Sequence, residues 1–142
     1  MSDQSLEISF YLEQYHMGHS DDAFHGLLEL SGDAVPELVN VYRASTDTSI
    51  RAILLKVICH YQQPVKIPLL AEALNDHAPE IWKEAIDGLV AIASPESLQL
   101  LQTARMRQFA DARMGRIFSE WLEEAITQVA AQLKSFETEL PP

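Results

Sequence analysis

The densest group of side chains able to bind a metal ion lies near residue 20. It consists of His16, His19, Asp21, Asp22 and His25. Asp22 and His25 are three residues apart, which places them on one face of a helix, and imidazole with carboxylate suits zinc or iron. A helix-to-helix turn followed by an acidic first turn has the same composition. We favour the turn and predict no metal or cofactor, keeping His16, His19, Asp22 and His25 as the metal-ligand candidates.

Other catalytic patterns are not found in the sequence. Cys59 and His60 are neighbours, so on a helix they point about 100° apart and cannot act as a nucleophile and base pair by themselves. No Gly-rich phosphate loop, nucleophile elbow or paired Cys motif occurs. We therefore predict that the protein is not an enzyme. A single Cys excludes an internal disulfide and is typical of a reducing compartment.

The hydrophobic pattern predicts an all-α fold, because apolar residues recur with helical spacing and no strand-like alternation appears. Ile81, Ala85 and Leu89 form one such apolar stripe. Ser94 followed by Pro95 is typical of a helix start, and Asp33 and either Thr46 or Asp47 can cap earlier helices. The expected helices are residues 5–16, 21–31, 34–45, 47–61, 66–75, 79–93, 95–107 and 111–134.

The apolar pattern also repeats. Gly26–Leu30 and Gly88–Ile92 match at an offset of 62 residues, and half that offset falls on Val57–Tyr61. The helices therefore pair into four repeats of about 31 residues in a single domain over residues 1–142. The expected repeats are residues 5–31, 34–61, 66–93 and 95–134, with a short C-terminal tail at 135–142.

The repeat unit resembles HEAT repeats, the armadillo-like family of stacked helical hairpins. The resemblance rests on these residues: Leu70–Leu74, Asp76, Pro79, Ile81, Ala85, Gly88–Ile92, Ser94, Pro95, Glu96 and Leu98. Ile50 and Arg51 match the Val-Arg pair that opens the family's second helix, but Trp82 replaces that Arg in the best-matching unit. The resemblance implies a right-handed α-solenoid of about four hairpins with a long C-terminal capping helix, and a protein-binding role.

The charge distribution limits the kinds of partner. The chain has a net charge of −11 with a pI near 4.7, and residues 1–42 hold eight acidic residues and no Lys or Arg. Nucleic-acid binding needs clustered cations, so we predict a basic protein partner and no nucleic acid. No apolar run reaches the ~18 residues of a membrane span, and no cation precedes Arg43. We therefore expect a cytoplasmic protein that does not bind membranes.

Arg105, Arg107, Arg113 and Arg116 reverse the sign of the charge near the last helix. Their guanidinium groups can bind a phosphate or an acidic peptide. They can also pair with acids of the same chain, as Arg116 can with Glu120 four residues later. We favour internal pairing.

We predict a protein-binding surface that includes two groups of residues. The candidates are Asp21, Asp22, Glu29, Glu80, Trp82, Glu84 and Asp87. Trp82 lies beside the Ile81 stripe, so it is either a partly exposed anchor or a core residue. The predicted function is binding of a basic partner, and one concrete form is an immunity or inhibitor protein that neutralises a toxin nuclease. The alternatives are a scaffold or assembly factor, such as a chromophore-handling HEAT-like protein, and a metal-dependent enzyme.

Overall fold

The computed structural model describes residues 3–139, which form eight α-helices and two short 3-10 turns without any strand. The α-helices are α1 (Asp3–His16), α2 (Ser20–Leu28), α3 (Val35–Ala44), α4 (Thr48–His60), α5 (Lys66–Ala73), α6 (Pro79–Ile92), α7 (Pro95–Thr103) and α8 (Ala112–Glu139). The 3-10 turns are Gly32–Ala34 and Ala104–Met106. The prediction of an all-α fold is confirmed.

The described helices group into two compact units, residues 3–66 and residues 67–139. The boundary between them falls after the first residue of the third predicted repeat. The prediction of a single domain over residues 1–142 stays a prediction.

In the first unit, α1 pairs with α2 and α3 pairs with α4, and α2 also packs against α4. Its core includes Ile8, Leu27, Leu38 and Leu54, each at most 1% exposed. Gly26 allows the close approach of α1 and α2, because a Cβ atom there would overlap the Tyr11 ring. The missing side chain therefore sets how closely the first hairpin packs.

In the first unit, side chains form hydrogen bonds with carbonyl oxygens at the C-terminal ends of α2 and α4. The Tyr61 hydroxyl lies 3.0 Å from Leu27 O and 3.1 Å from Leu28 O, and it also contacts Leu30 O. Burial raises the pKa of this phenol. Lys66, only 7% exposed, donates from Nζ to Cys59 O at 2.8 Å. The one phenol proton of Tyr61 is shared among carbonyls at the end of α2, and the Lys66 ammonium group donates to a carbonyl at the end of α4.

In the second unit, α8 packs against both α6 and α7, and α6 packs against α7. The predicted start of α7 is confirmed, since Ser94 Oγ accepts from Ser97 N at 3.0 Å in a capping box. Asp47 likewise caps α4 in the first unit by accepting from Ile50 N at 3.1 Å.

Three predicted boundaries differ from the structure by three residues or more. Helix α2 ends at Leu28 rather than at residue 31, and the Tyr61 hydroxyl contacts the carbonyl oxygens at this end of the helix. Helix α7 ends at Thr103 and tightens into the 3-10 turn, as helix termini often do. Helix α8 runs to Glu139, so the predicted tail is wrong for residues 135–139, because no Pro or Gly interrupts α8 after Gly115. Residues 140–142 lie outside the described part of the chain.

Candidate protein-binding surfaces

The acidic residues at the start of the chain remain on the surface of the first unit. Seven of the eight acidic residues in 1–42 are exposed. They are Asp3, Glu7, Glu13, Asp21, Asp22, Glu29 and Asp33, and we refer to them as the acidic surface. None of the seven forms an ion pair with a cation among residues 3–139.

The position of each predicted acid follows from the α1–α2 hairpin. Asp21 and Asp22 occupy the first turn of α2, where carboxylates interact favourably with the positive end of the helix dipole. Glu29 directly follows the last residue of that helix. The predicted residues of the first unit therefore lie at opposite ends of one nine-residue helix.

A groove lies beside α1 in the first unit. Its volume is about 370 Å³, and it is lined by Gln4, Glu7, Tyr11, Gly26, Glu29, Leu30, Ser31 and Ala34. Glu7 and Glu29 bring two exposed carboxylates from different elements to this groove. Such a groove can receive a Lys or Arg side chain. Sequence reasoning did not select Glu7, because its proximity to Glu29 depends on how α1 crosses α2.

The candidate metal ligands near residue 20 are not brought together. His16, His19, Asp22 and His25 are all exposed. Within residues 3–139, no three His, Cys, Asp or Glu side chains are grouped so that they could hold a metal ion.

The remaining predicted residues lie on α6 in the second unit. Glu80 and Asp87 are exposed and Glu84 is half-buried. Glu84 and Asp87 already interact with other groups of the protein. Among the predicted residues, α6 therefore offers fewer exposed carboxylates without another interaction than the acidic surface does.

The prediction of Trp82 as an exposed anchor is wrong, because its side chain is 0% exposed. Its ring meets Phe118 edge to face at a centroid distance of 5.0 Å and Trp121 at 6.4 Å. Both partners lie on α8, which covers the side of α6 next to the Ile81 stripe. The indole Nε1 has no hydrogen-bond partner among the described residues. Trp82 is therefore a core residue.

Two cations pack against this aromatic group. Lys83 Nζ lies 5.0 Å from the Trp121 ring centroid, and Arg107 Cζ lies 4.2 Å from that of Phe109. Arg107 also donates to Leu74 O at 2.5 Å and to Asp76 O at 2.8 Å, just after α5. Burial lowers the pKa of Arg107, and the nearby Asp76 acts in the opposite direction.

A second Arg of the basic segment is also used inside the protein. Arg105 forms a bidentate ion pair with Glu123 of α8, with distances of 2.7 and 2.8 Å. This hydrogen bond lowers the pKa of Glu123. The prediction of pairing with an acid of the same chain is confirmed for Arg105, although its partner differs from those suggested by sequence spacing, whereas Arg107 donates to backbone carbonyls.

These features define an all-α helical-repeat protein with an unpaired acidic surface on its first unit. A family model for HEAT repeats matches residues 35–116, more than half of the chain. The chain therefore belongs to the HEAT-repeat family, as the sequence resemblance predicted. HEAT repeats generally mediate protein–protein interactions. Searches of curated proteins and of solved structures gave no match. In the described part of the chain, no helix is long and apolar enough to cross a membrane.

Proposed function

We propose that this protein is a non-catalytic protein-binding module that engages a basic partner through the acidic surface of its first unit. The observation that carries the proposal is the set of seven exposed carboxylates without a paired cation among residues 3–139. Within the acidic surface, Asp21, Asp22 and Glu29 are the residues that we assign to the binding site.

The charge pattern favours this use of the surface. Carboxylates already paired inside a protein, such as Glu123 with Arg105, must give up an existing partner before they bind a new one. The seven carboxylates of the acidic surface have no such pair to break. Their combined negative field accelerates encounter with a positively charged partner, and it disfavours acidic partners and nucleic acid.

One concrete form of the proposal is an immunity or inhibitor protein for a nucleic-acid-cleaving toxin. The substrate face of a nuclease is basic, because it must attract phosphates. An acidic surface that occupies such a face excludes the substrate and gains both association rate and specificity from its charge. In this form of the proposal, binding of the chain to the nuclease is itself what inhibits the nuclease.

The first experiment asks whether a basic partner exists. The tagged full chain is purified from its native host at low salt, and proteins bound in stoichiometric amounts are identified by mass spectrometry. We expect a basic protein that dissociates as salt is raised, because the contacts are electrostatic. For the toxin form, the partner has nuclease activity that the purified chain abolishes. Absence of any stoichiometric basic protein would contradict the proposal.

Variants then test the surface. Asp21→Asn, Asp22→Asn and Glu29→Gln are combined, and the matched control combines Glu96→Gln, Glu120→Gln and Glu124→Gln, all exposed in the second unit. Glu96 lies in the first turn of α7 and so also controls for loss of a favourable helix-dipole contact. We expect the first triple variant to weaken binding by about tenfold or more, mainly through slower association. Equal weakening by both variants would show that net charge alone acts.

A further inference from the structure

One face of α1 carries exposed apolar side chains. Leu6, Phe10 and Met17 are 55%, 54% and 63% exposed. With 3.6 residues per turn, their spacing places them within about 40° of one another around the helix axis. Met17 follows the last residue of α1, but its N–H still bonds to Glu13 O at 3.0 Å and continues the helical turn. The three side chains therefore form one row, the α1 row.

The rest of the first unit does not use this face. The opposite side of α1 supplies the buried Ile8 and the half-buried Tyr11 and Tyr15, and the helix packs through it against α2 and α3. Only one other large apolar side chain, Met106, is strongly exposed among residues 3–135, whose side chains the structure describes. Single exposed apolar residues are ordinary, but three in a row are typical of an interaction surface.

The charges around the α1 row identify its partner. Glu13 lies within the row, since residues 6, 10, 13 and 17 follow the 4-3-4 spacing of a helix seam. Asp3 and Glu7 lie at one side, and Glu7 also lines the acidic groove with Glu29. A helix that packs on this row meets carboxylates at its centre and along its edge. Lys or Arg beside its apolar row can therefore pair with these carboxylates.

We propose that the α1 row is the docking site for an amphipathic helix of a partner protein, with an apolar seam flanked by Lys and Arg. This inference rests on the proposed function, for which it supplies the kind of segment that is bound. A second copy of this chain fits poorly, because pairing two α1 rows brings Glu13 and its acidic neighbours against like charges. The same charges oppose an anionic membrane surface.

The test uses a synthetic helical peptide as the probe. It contains about three heptads with Leu or Ile in the seam positions and Lys in the flanking positions. A control peptide has the same composition in a permuted order that forms no apolar row. Binding to the full chain is measured by isothermal titration calorimetry. We expect the seam peptide to bind at micromolar concentrations and the permuted peptide to bind at least tenfold more weakly.

Two variants of the protein locate the site. Leu6→Ser combined with Phe10→Ser is expected to weaken binding of the seam peptide by about tenfold or more. Met106→Ser, which removes an even more exposed apolar side chain from the second unit, is expected to bind like the wild type. All replaced residues are exposed, so circular dichroism is expected to show unchanged helix content.

Three results would overturn the inference. They are equal binding of both peptides, unchanged binding by the double variant, and a dimer of the free protein that Phe10→Ser converts to a monomer. These are distinct from failure of the proposed function. If binding of a basic partner depends on Asp21, Asp22 and Glu29 but not on Leu6 or Phe10, only the assignment of the α1 row as a docking site is contradicted. If no basic partner is found, the proposed function itself is contradicted.

Discussion

The Trp82 side chain stabilises the second unit through an aromatic group rather than through contact with a partner. The Trp82 ring lies edge to face with Phe118 and next to Trp121. Trp82 is fully buried, whereas Trp121, which Lys83 contacts, is half-buried. Edge-to-face pairs add about 0.5–1.5 kcal/mol beyond the area they bury. Trp82 is therefore a residue whose loss affects folding before it affects binding.

We predict that Trp82→Ala lowers the free energy of unfolding by about 3–5 kcal/mol, because it leaves a large cavity between α6 and α8. Urea denaturation followed by circular dichroism measures the change. Trp121→Ala is the matched control, and its half-buried side chain is expected to cost less. A fully folded Trp82→Ala protein with a loss below about 1 kcal/mol would contradict this assignment.

At the scale of the helices, the ends of α2 and α4 depend on hydrogen bonds from other parts of the first unit. Tyr61, just after α4, places its one hydroxyl proton among the carbonyls at the end of α2, and Lys66 donates to Cys59 O at the end of α4. The Tyr61 contacts connect elements about 30 residues apart in the sequence. They favour one arrangement of the two hairpins of the unit.

We predict that Tyr61→Phe lowers stability by about 1 kcal/mol at pH 8, because carbonyls of α2 lose a donor. The pKa of Tyr61 is raised in the folded protein, so its contribution is complete below the normal phenol pKa and is lost as pH rises above it. The variant should therefore lose less stability than the wild type between pH 8 and pH 11. Urea denaturation across this range tests it, with Tyr15→Phe as the control. Parallel pH dependence of Tyr61→Phe and wild type would contradict it.

Local sequence signals predicted the helices but not all of their contacts. Some signals involve only residues close in sequence, and these could be recognised from the sequence alone. They are the helical spacing of Ile81, Ala85 and Leu89 and the capping residues Asp47 and Ser94. The end of α6 was predicted within one residue, although Ala93 adopts the left-handed conformation (φ 51°) in which Gly is the usual residue. The burial of Trp82 depends on α8, about 30 residues later.

The candidate site was predictable only in part, and for the same reason. The uneven charge of residues 1–42 is visible in the sequence, and it led to Asp21, Asp22 and Glu29. The pairing of Arg105 with Glu123 spans 18 residues and lies outside the i, i+4 rule. The α1 row was missed because Leu6 and Phe10 look like core residues until the buried face of α1 is known.

Over the whole molecule, the acidic surface lies in the first unit and the Arg105–Glu123 ion pair lies in the second. In the second unit, Arg105, Arg107 and Lys83 are engaged with groups of the same unit. In the first unit, the seven carboxylates of the acidic surface have no cation partner among the described residues. The net charge of −11 thus acts most strongly where residues 3–33 are exposed, next to the α1 row.

Hydrogen–deuterium exchange of the full chain, alone and with its co-purified partner, tests the central claim most directly. Amides in a bound surface exchange more slowly, because binding suppresses local opening. We predict that the partner protects residues 3–34, including α1 and α2, and that high salt abolishes this protection. Protection confined to residues 67–139, with none in residues 3–34, would contradict the assignment of binding to the first unit.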